Sequence, residues 1–591
     1  MRVVKIVEAV EAAAGLAQAV TGERRIPVEN GAEALVEVLS ANGVEYLFTN
    51  TGTDHAAILE ALAKYEATGR RPPRAILCMY ENVAMHAAHG YAAATGRPQA
   101  VLVHVDVGTQ NVGGALHNAC RARVPVLLMA GAAPMTGRIF YIHWLQERAD
   151  QGGIVRQYVK WDYQVRQARD VNLALQRAIQ VAREEPCGPV YLALPSDVMI
   201  EPLDGMTLLP PERFQPPVPT LPPMAELQRM ARALLTARNP LIITTYLGRQ
   251  PAAVPELVRL AEAVGAPVIE SLPAQYMNFP SDHPLHLGSD VAPYLAQADV
   301  ICLLDCDVPW VSRWAAPAPG ARILQLDIDP VKRGIPTWDF PVDLKVAGDS
   351  RQALPVLAAL IEEEAREADR RRFAERRQRW EQESRERRAR IRQAALAKSH
   401  LRPIEAEWLA YVINQVKDED TILVDETVTT GRIELLDRTR PGTYFTSGGS
   451  SLGWGLGAAL GIKLACPDRE VICLTGDGSY VFASPVAAHW AAVQGGVPYL
   501  TVIYNNQCYN AVKFSIFEHF PQGWAARTGR FPGSDLSPAP DYAAIARACG
   551  LYAETVEEPQ EVKAALERSR ERVRAGQPAL LNVLLRTPQY P

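Results

Sequence analysis

Short apolar runs alternate with helix-forming stretches along the whole chain, and this alternation predicts an α/β protein built from doubly wound parallel sheets. The clearest unit lies towards the C-terminus. Val471-Ile472-Cys473-Leu474-Thr475 reads as a strand that stops at Gly476, and Tyr499-Leu500-Thr501-Val502-Ile503-Tyr504 reads as a second that stops at Asn505. Residues 485–494 between them read as a helix. A right-handed crossover of this kind sets the two strands parallel, with both carboxyl ends on one edge. Strand-like runs at 46–48, 100–104, 125–130 and 190–194 mark a first unit, runs at 240–244, 300–304 and 322–326 a second, and the run at 421–424 opens a third.

Punctuation then divides the chain into a helical N-terminal extension (1–29), a first α/β domain (30–202), a proline-rich linker (203–223), a central domain (224–361), a charged helical linker (362–400) and a C-terminal domain (401–591). Glu and Arg alternate in the charged run, which reads as a solvated helix and not as a nucleic-acid arm.

Chemistry gathers at the strand exits. Gly476-Asp477-Gly478-Ser479 at one exit and Asn505-Asn506 at its neighbour offer a carboxylate, a side-chain amide and a backbone carbonyl, an oxygen set that suits Mg²⁺ bound beside a diphosphate. The flanking glycines let the backbone approach phosphate, and the amides opening the next helix favour anions. By itself the triplet also reads as a turn; the strand placement and the paired asparagines weigh against that. Asp425-Glu426-Thr427-Val428-Thr429-Thr430-Gly431 is a hydroxyl-rich exit of the same kind, with a plain helix cap as the alternative.

These motifs resemble those of the thiamine diphosphate (ThDP) enzymes of the pyruvate decarboxylase and acetolactate synthase superfamily, and the resemblance covers nearly the whole chain. It implies three doubly wound domains (pyrimidine-binding, central and diphosphate-binding), with Asp477, Asn506 and the carbonyl of Cys508 on Mg²⁺. The spacing between the two motifs is slightly longer than is usual in the family, so Asn505 stays open as the alternative ligand. It further implies that Gly476, Asp477, Gly478, Ser479, Asn506, Tyr509, Thr427 and Thr429 line the diphosphate, that Leu452 is the apolar wedge that bends the cofactor, and that backbone around Gly449 and Ser450 faces its aminopyrimidine. Glu81, opening a small-residue helix after Met79-Tyr80, matches the glutamate that stabilises the imino tautomer of that ring. Its plain alternative is a helix N-terminal acid favoured by the dipole. In the family this glutamate and the metal motif come from different subunits, which implies a homodimer at minimum and a homotetramer as the usual assembly.

Substrate-side residues point two ways. His104 resembles the proton-handling histidine of benzoylformate decarboxylase, and Thr53 matches a substrate-facing loop residue, with Asp54 and His55 as further polar candidates. His283 matches a histidine-proline element of the central domain. Gln146, in Trp144-Leu145-Gln146-Glu147, instead resembles the Phe-Gln-Glu segment of acetolactate synthases, with Leu145 in place of Phe, and implies a buried glutamine near the cofactor. In the central domain FAD or ADP is not favoured, because Leu247-Gly248-Arg249-Gln250 is no dinucleotide fingerprint, and because Asp305-Cys306-Asp307-Val308-Pro309-Trp310 stands where the resemblance implies an arginine-and-aspartate-rich segment in FAD-binding acetolactate synthases. The chain ends soon after Leu584-Leu585-Arg586, without the lid of acyl-CoA-using relatives. The implied activity is Mg²⁺- and ThDP-dependent decarboxylation of a 2-oxo acid with carboligation as a second outcome; the rivals are an acetolactate-synthase-like transferase and a catalytically silent paralogue. The aromatic stretch 509–535 is expected to shape substrate choice.

Composition narrows the remaining classes. With 591 residues the chain exceeds a single core, and its net charge of −5 gives no basic footprint for nucleic acid. No run approaches the roughly eighteen apolar residues of a membrane span. Lys5, Glu8 and Glu11 break the apolar N-terminus at helical spacing, which reads as an amphipathic helix and not a signal peptide. Nine cysteines without a Cys-x-x-Cys pair argue against zinc or a disulfide framework and fit a reducing cytoplasm.

Overall fold

The structure, a computed structural model, describes residues 23–137, 145–146, 148–338 and 340–588. Three parallel sheets carry it. In the first, the strands run from edge to edge as Arg74–Leu77, Tyr46–Thr49, Ala100–Val103, Leu127–Ala132, Val190–Pro195 and Asp162–Gln164. The third runs as Tyr444–Phe445, Ile422–Glu426, Val471–Gly476, Leu500–Asn505, Ala579–Leu584 and Tyr552–Val556. The two share one chain order, 2-1-3-4-6-5, and every neighbour pair in both is parallel. The central sheet has five strands, Val268–Glu270, Pro240–Thr244, Val300–Leu304, Arg322–Asp327 and Leu344–Ala347. Their inner residues are almost all buried, as parallel strands covered by helices on both faces require.

Most strands that the apolar pattern passed over are edge or short ones, although the interior strand Ala579–Leu584 was passed over too. Arg74–Leu77 exposes its first two residues, and Tyr444–Phe445 is only two residues long. The amphipathic helix read over residues 3–20 lies outside the described residues. The described end of the N-terminal extension is not helical: Arg24–Ile26 is a strand, paired antiparallel with Met206–Leu208. The charged run forms the helix Glu367–Leu396, which is not solvated all round. Phe373, Arg376, Trp380 and Ser384 are buried, and Arg376 donates to the carbonyl of Ala237 at 2.7 Å.

At the exits of the central strands, where doubly wound sheets commonly take ligands, the chain places its own charges. Buried Lys332 bonds Asp327 at 2.6 Å, Asp307 at 2.9 Å and the Tyr246 hydroxyl at 2.9 Å. Arg123 reaches across from the first domain to both oxygens of Asp307, at 2.7 and 3.0 Å.

The first and third domains meet through two helices, Glu81–Thr95 and Trp454–Ala465, each of which follows the second strand of its own sheet. Glycine permits the approach. A Cβ on Gly461 would overlap the Ala87 carbonyl oxygen and lie 2.7 Å from its carbon, and one on Gly457 would lie 2.6 Å from the His86 Cβ. The contact register rises together along both helices, so they run parallel and their N-termini share one end.

Candidate active site

In the third domain, Val471–Gly476 and Leu500–Asn505 lie side by side and end on the same edge. Asp477 opens the helix Asp477–Phe482 and is buried. Its oxygens accept from Gly478 N at 2.8 Å and from Gln507 N at 2.6 Å. Gln507 reaches that position through a left-handed backbone, φ 57°, which ties the asparagine loop to the aspartate. Burial pushes the Asp477 carboxyl up to about 6 against the pull of these amides. Among the described residues no Lys or Arg pairs with it, so this buried carboxylate lacks a counter-charge and a bound cation fits beside it.

The two asparagines separate in role. Asn505 donates to Asn582 of the neighbouring strand at 3.1 Å, so its amide is taken up within the sheet. Asn506 stays in the loop, its side-chain oxygen accepting from Cys508 N at 3.1 Å. Gly478 has no room for a side chain, because a Cβ would lie 2.9 Å from one Tyr509 ring carbon and overlap another. Ser479 is buried on the same turn.

The hydroxyl-rich exit lies on the next strand over. Thr427 donates its hydroxyl to Asp425 at 2.6 Å, Thr429 is half-buried, and Val428 is exposed with φ 51°, a strained conformation for a β-branched residue. The glycine-rich loop is held from the first domain: His117 bonds the Gly449 carbonyl at 2.9 Å, and Asn118 exchanges two bonds of 2.9 Å with the Ser451 backbone. Ser450 is exposed at φ 65°, and Leu452 is half-buried between that pinned loop and Gly453. Beyond it, Glu426 accepts the amides of Trp454 and Gly455 at 2.9 Å each, and burial pushes its carboxyl up to about 7 although these amides oppose the shift.

In the first domain Glu81 is the first residue of its helix and 5% exposed. Asn50 donates to one carboxylate oxygen at 2.9 Å and Asn111 to the other at 3.0 Å. His104 follows the strand Ala100–Val103 and precedes the helix Val105–Asn111, and its Nδ1 lies 2.5 Å from Asp54. That hydrogen bond raises the His104 pKa, burial opposes it, and the charges of Asp54, Glu81 and Asp106 add to the rise. Burial alone would raise the Asp54 carboxyl, but hydrogen bonds from His104 and His55 hold it well below the usual carboxylate range. The Glu81 and His104 segments share a wall at Gly108, whose Cβ would lie 3.1 Å from the Val103 side chain and 3.3 Å from Glu81 Oε1.

Thr53 is exposed at the start of the short turn Thr53–His55, between Gly52, which abuts the His104 ring, and Asp54. Gln146 is half-buried beside Leu145, which is 86% exposed; nearby Gln151 is buried and donates to the Gly131 carbonyl and the Tyr191 hydroxyl at 2.8 Å each. Trp144 and Glu147 lie outside the described residues. His283 pairs with Glu262 at 3.2 Å within the central domain. Sequence reasoning missed Asn50, Asn111, Asn118 and Glu426. The asparagines act across about thirty residues or more, so local pattern gave no signal; Glu426 stood at a strand exit and could have been weighed.

Three family models match in order: the N-terminal TPP binding domain of thiamine pyrophosphate enzymes over residues 29–154, their central domain over 227–357, and their C-terminal TPP binding domain over 428–583. Benzoylformate decarboxylase of Pseudomonas aeruginosa is 28% identical over 571 residues, covering 94% of this chain and 98% of that protein. Acetolactate synthase isozyme 3 large subunit of Escherichia coli is 27% identical over 575 residues, covering 94% of each. The solved thiamine diphosphate-dependent 4-hydroxybenzoylformate decarboxylase of Rhodococcus jostii RHA1 superposes with a TM-score of 0.76 at 23% identity, over 95% of this chain and all of that one, and supports the fold. With all three domain models matched in order on three parallel-sheet domains, the chain belongs to the thiamine diphosphate-dependent enzyme superfamily.

Proposed function

We propose that this enzyme is a ThDP- and Mg²⁺-dependent carbon–carbon lyase acting on a 2-oxo acid, foremost a non-oxidative decarboxylase with carboligase capacity. The observation that carries the reading is the shared wall at Gly108, which joins the doubly bonded Glu81 carboxylate to the segment bearing His104. Asp477, Asn506 and the Cys508 carbonyl would hold Mg²⁺; Thr427, Thr429, Gly476, Gly478, Ser479 and Tyr509 would line the diphosphate; Gly449, Ser450 and Leu452 would seat the rings. When bound, ThDP supplies the electron sink that lets a bond beside a 2-oxo carbon break. Asn50 and Asn111 orient the Glu81 carboxylate for a ring nitrogen, and His104 handles the proton delivered to the reacting carbon.

Apolar residues left exposed beside both half-sites support an assembly in which one protomer's Glu81 meets its partner's metal motif. Phe482 and Val486, just beyond Asp477, are 56% and 57% exposed, and Met79 and Val107 flank Glu81 and His104. A panel of 2-oxo acids assayed for carbon dioxide and for ligated product tests the reading. A free aldehyde is expected; a two-carbon-extended hydroxy acid from pyruvate alone would make the enzyme an acetolactate-synthase-like transferase. Glu81→Gln should abolish turnover with the fold intact, because it sets an amide against the amides of Asn50 and Asn111, and an unchanged rate would refute the mechanism.

A further inference from the structure

Building on the reading of His104 as the proton-handling group, we propose that Asp54 is its positioning residue, fixing the ring with Nδ1–H turned inward and Nε2 as the open nitrogen. The geometry is specific. Nδ1 lies 2.5 Å from Asp54 Oδ1, and among the described residues no protein group is found bonded to Nε2 on the part-exposed side of the ring. His55 does not compete for the charge of Asp54 as a cation. Its Nδ1 accepts the Gly52 amide at 3.0 Å and therefore carries no proton, while its Nε2–H is shared between the Val103 carbonyl at 3.0 Å and Asp54 Oδ2 at 3.2 Å. The second Asp54 oxygen also takes the Val105 amide at 3.3 Å, and Val105 is held at φ 35°, strained for a β-branched residue. Glycine makes the room: a side chain on Gly52 would overlap the His104 ring, and one on Gly131 would overlap the Asp54 carboxylate.

The charged groups facing His104 all favour the imidazolium. They are Asp54, Glu81 and Asp106, with Arg148 3.4 Å from Asp106 Oδ2 on its outer side and His55 neutral. In the reaction, Nε2–H delivers its proton to the carbon that has lost carbon dioxide; the ring is left neutral with Nδ1–H still on Asp54, and solvent restores the proton to Nε2. No oxidant or second reactant enters.

The test is Asp54→Asn in the full-length enzyme, with imidazole NMR assigned by His104→Gln and with kcat and KM measured across pH. The wild-type His104 ring should titrate above its ordinary value of about 6.5, and the variant should bring it down by roughly one unit or more. The alkaline limb of kcat should move by the same amount, with kcat down at least about tenfold and KM within roughly threefold. An unmoved ring titration, or a lower kcat whose alkaline limb stays in place, overturns the proposal. Where the variant does not fold, a wild-type His104 titrating at or below about 6.5 overturns it alone. Full activity in His104→Gln together with a shifted ring in Asp54→Asn sinks the proton-handling reading and leaves the pairing standing.

Discussion

Replacing Gly461 by Ala tests the contact that packs the first domain of a chain against its third. The new Cβ would overlap the Ala87 carbonyl oxygen and lie 2.7 Å from its carbon and 2.9 Å from Tyr91 N. Carbon contacts settle at about 3.5–4.0 Å, so the helices Glu81–Thr95 and Trp454–Ala465 must part by roughly 1 Å. Overpacking of that size costs about 1–3 kcal/mol, while the gain in helix propensity returns at most about 1 kcal/mol. Because the obstruction is backbone and not a movable side chain, a net loss of about 2 kcal/mol is expected. The same displacement moves both Glu81 and the Leu452 loop of the chain and so misplaces each against the partner's half of its site, and a 1 Å misplacement costs on the order of 100-fold in rate. The assay pairs a urea midpoint with carbon dioxide release. Gly113→Ala is the control, since a Cβ there meets nothing within 4 Å. A Gly461→Ala enzyme with the midpoint and rate of the control would refute the account of this interface.

Three further outcomes follow from the same geometry. Asp477→Ala should remove most metal-dependent ThDP affinity, and calorimetry finding it undiminished contradicts the ligand assignment. Asn111→Ala leaves one Glu81 oxygen without its amide and should cost about 1–3 kcal/mol of stability and on the order of tenfold in kcat, read by denaturant midpoint and initial rate; no change in either would remove Asn111 from the site. For Asp54→Asn, the depressed aspartate gives stability present above about pH 4 and lost as pH falls through its folded value, and the raised histidine gives stability present below about pH 6.5 and lost as pH rises through its own. The wild-type advantage in urea should therefore be greatest between about pH 4 and 6.5, and a flat difference from pH 3 to 9 would contradict the pairing.

What the sequence disclosed was what local pattern encodes. The apolar runs ending at Gly476 and Asn505 are long and buried, so local pattern alone places their exits, and with them Asp477 and Asn506. Arg74–Leu77 and Tyr444–Phe445 are short edge elements whose pairing comes from their neighbours, and no run announced them. The partners of Glu81 were hidden for a related reason: Asn50 and Asn111 stand 31 and 30 residues away, and only the sheet brings them to its carboxylate. Gln146 rests on likeness to a motif whose Trp144 and Glu147 lie outside the described residues, so local pattern alone carries it. Charge alternation in 367–396 revealed the helix but not its buried stripe, because Phe373 and Trp380 are sparse among the arginines.

The atom facing position 461 is a main-chain oxygen, so no exchange of the side chain at residue 87 can make space for a larger one. Position 461 thus has no local suppressor: an enlargement there can be rescued only by sliding a whole helix. Lineages of this enzyme that drift freely elsewhere along these helices should therefore find this point closed.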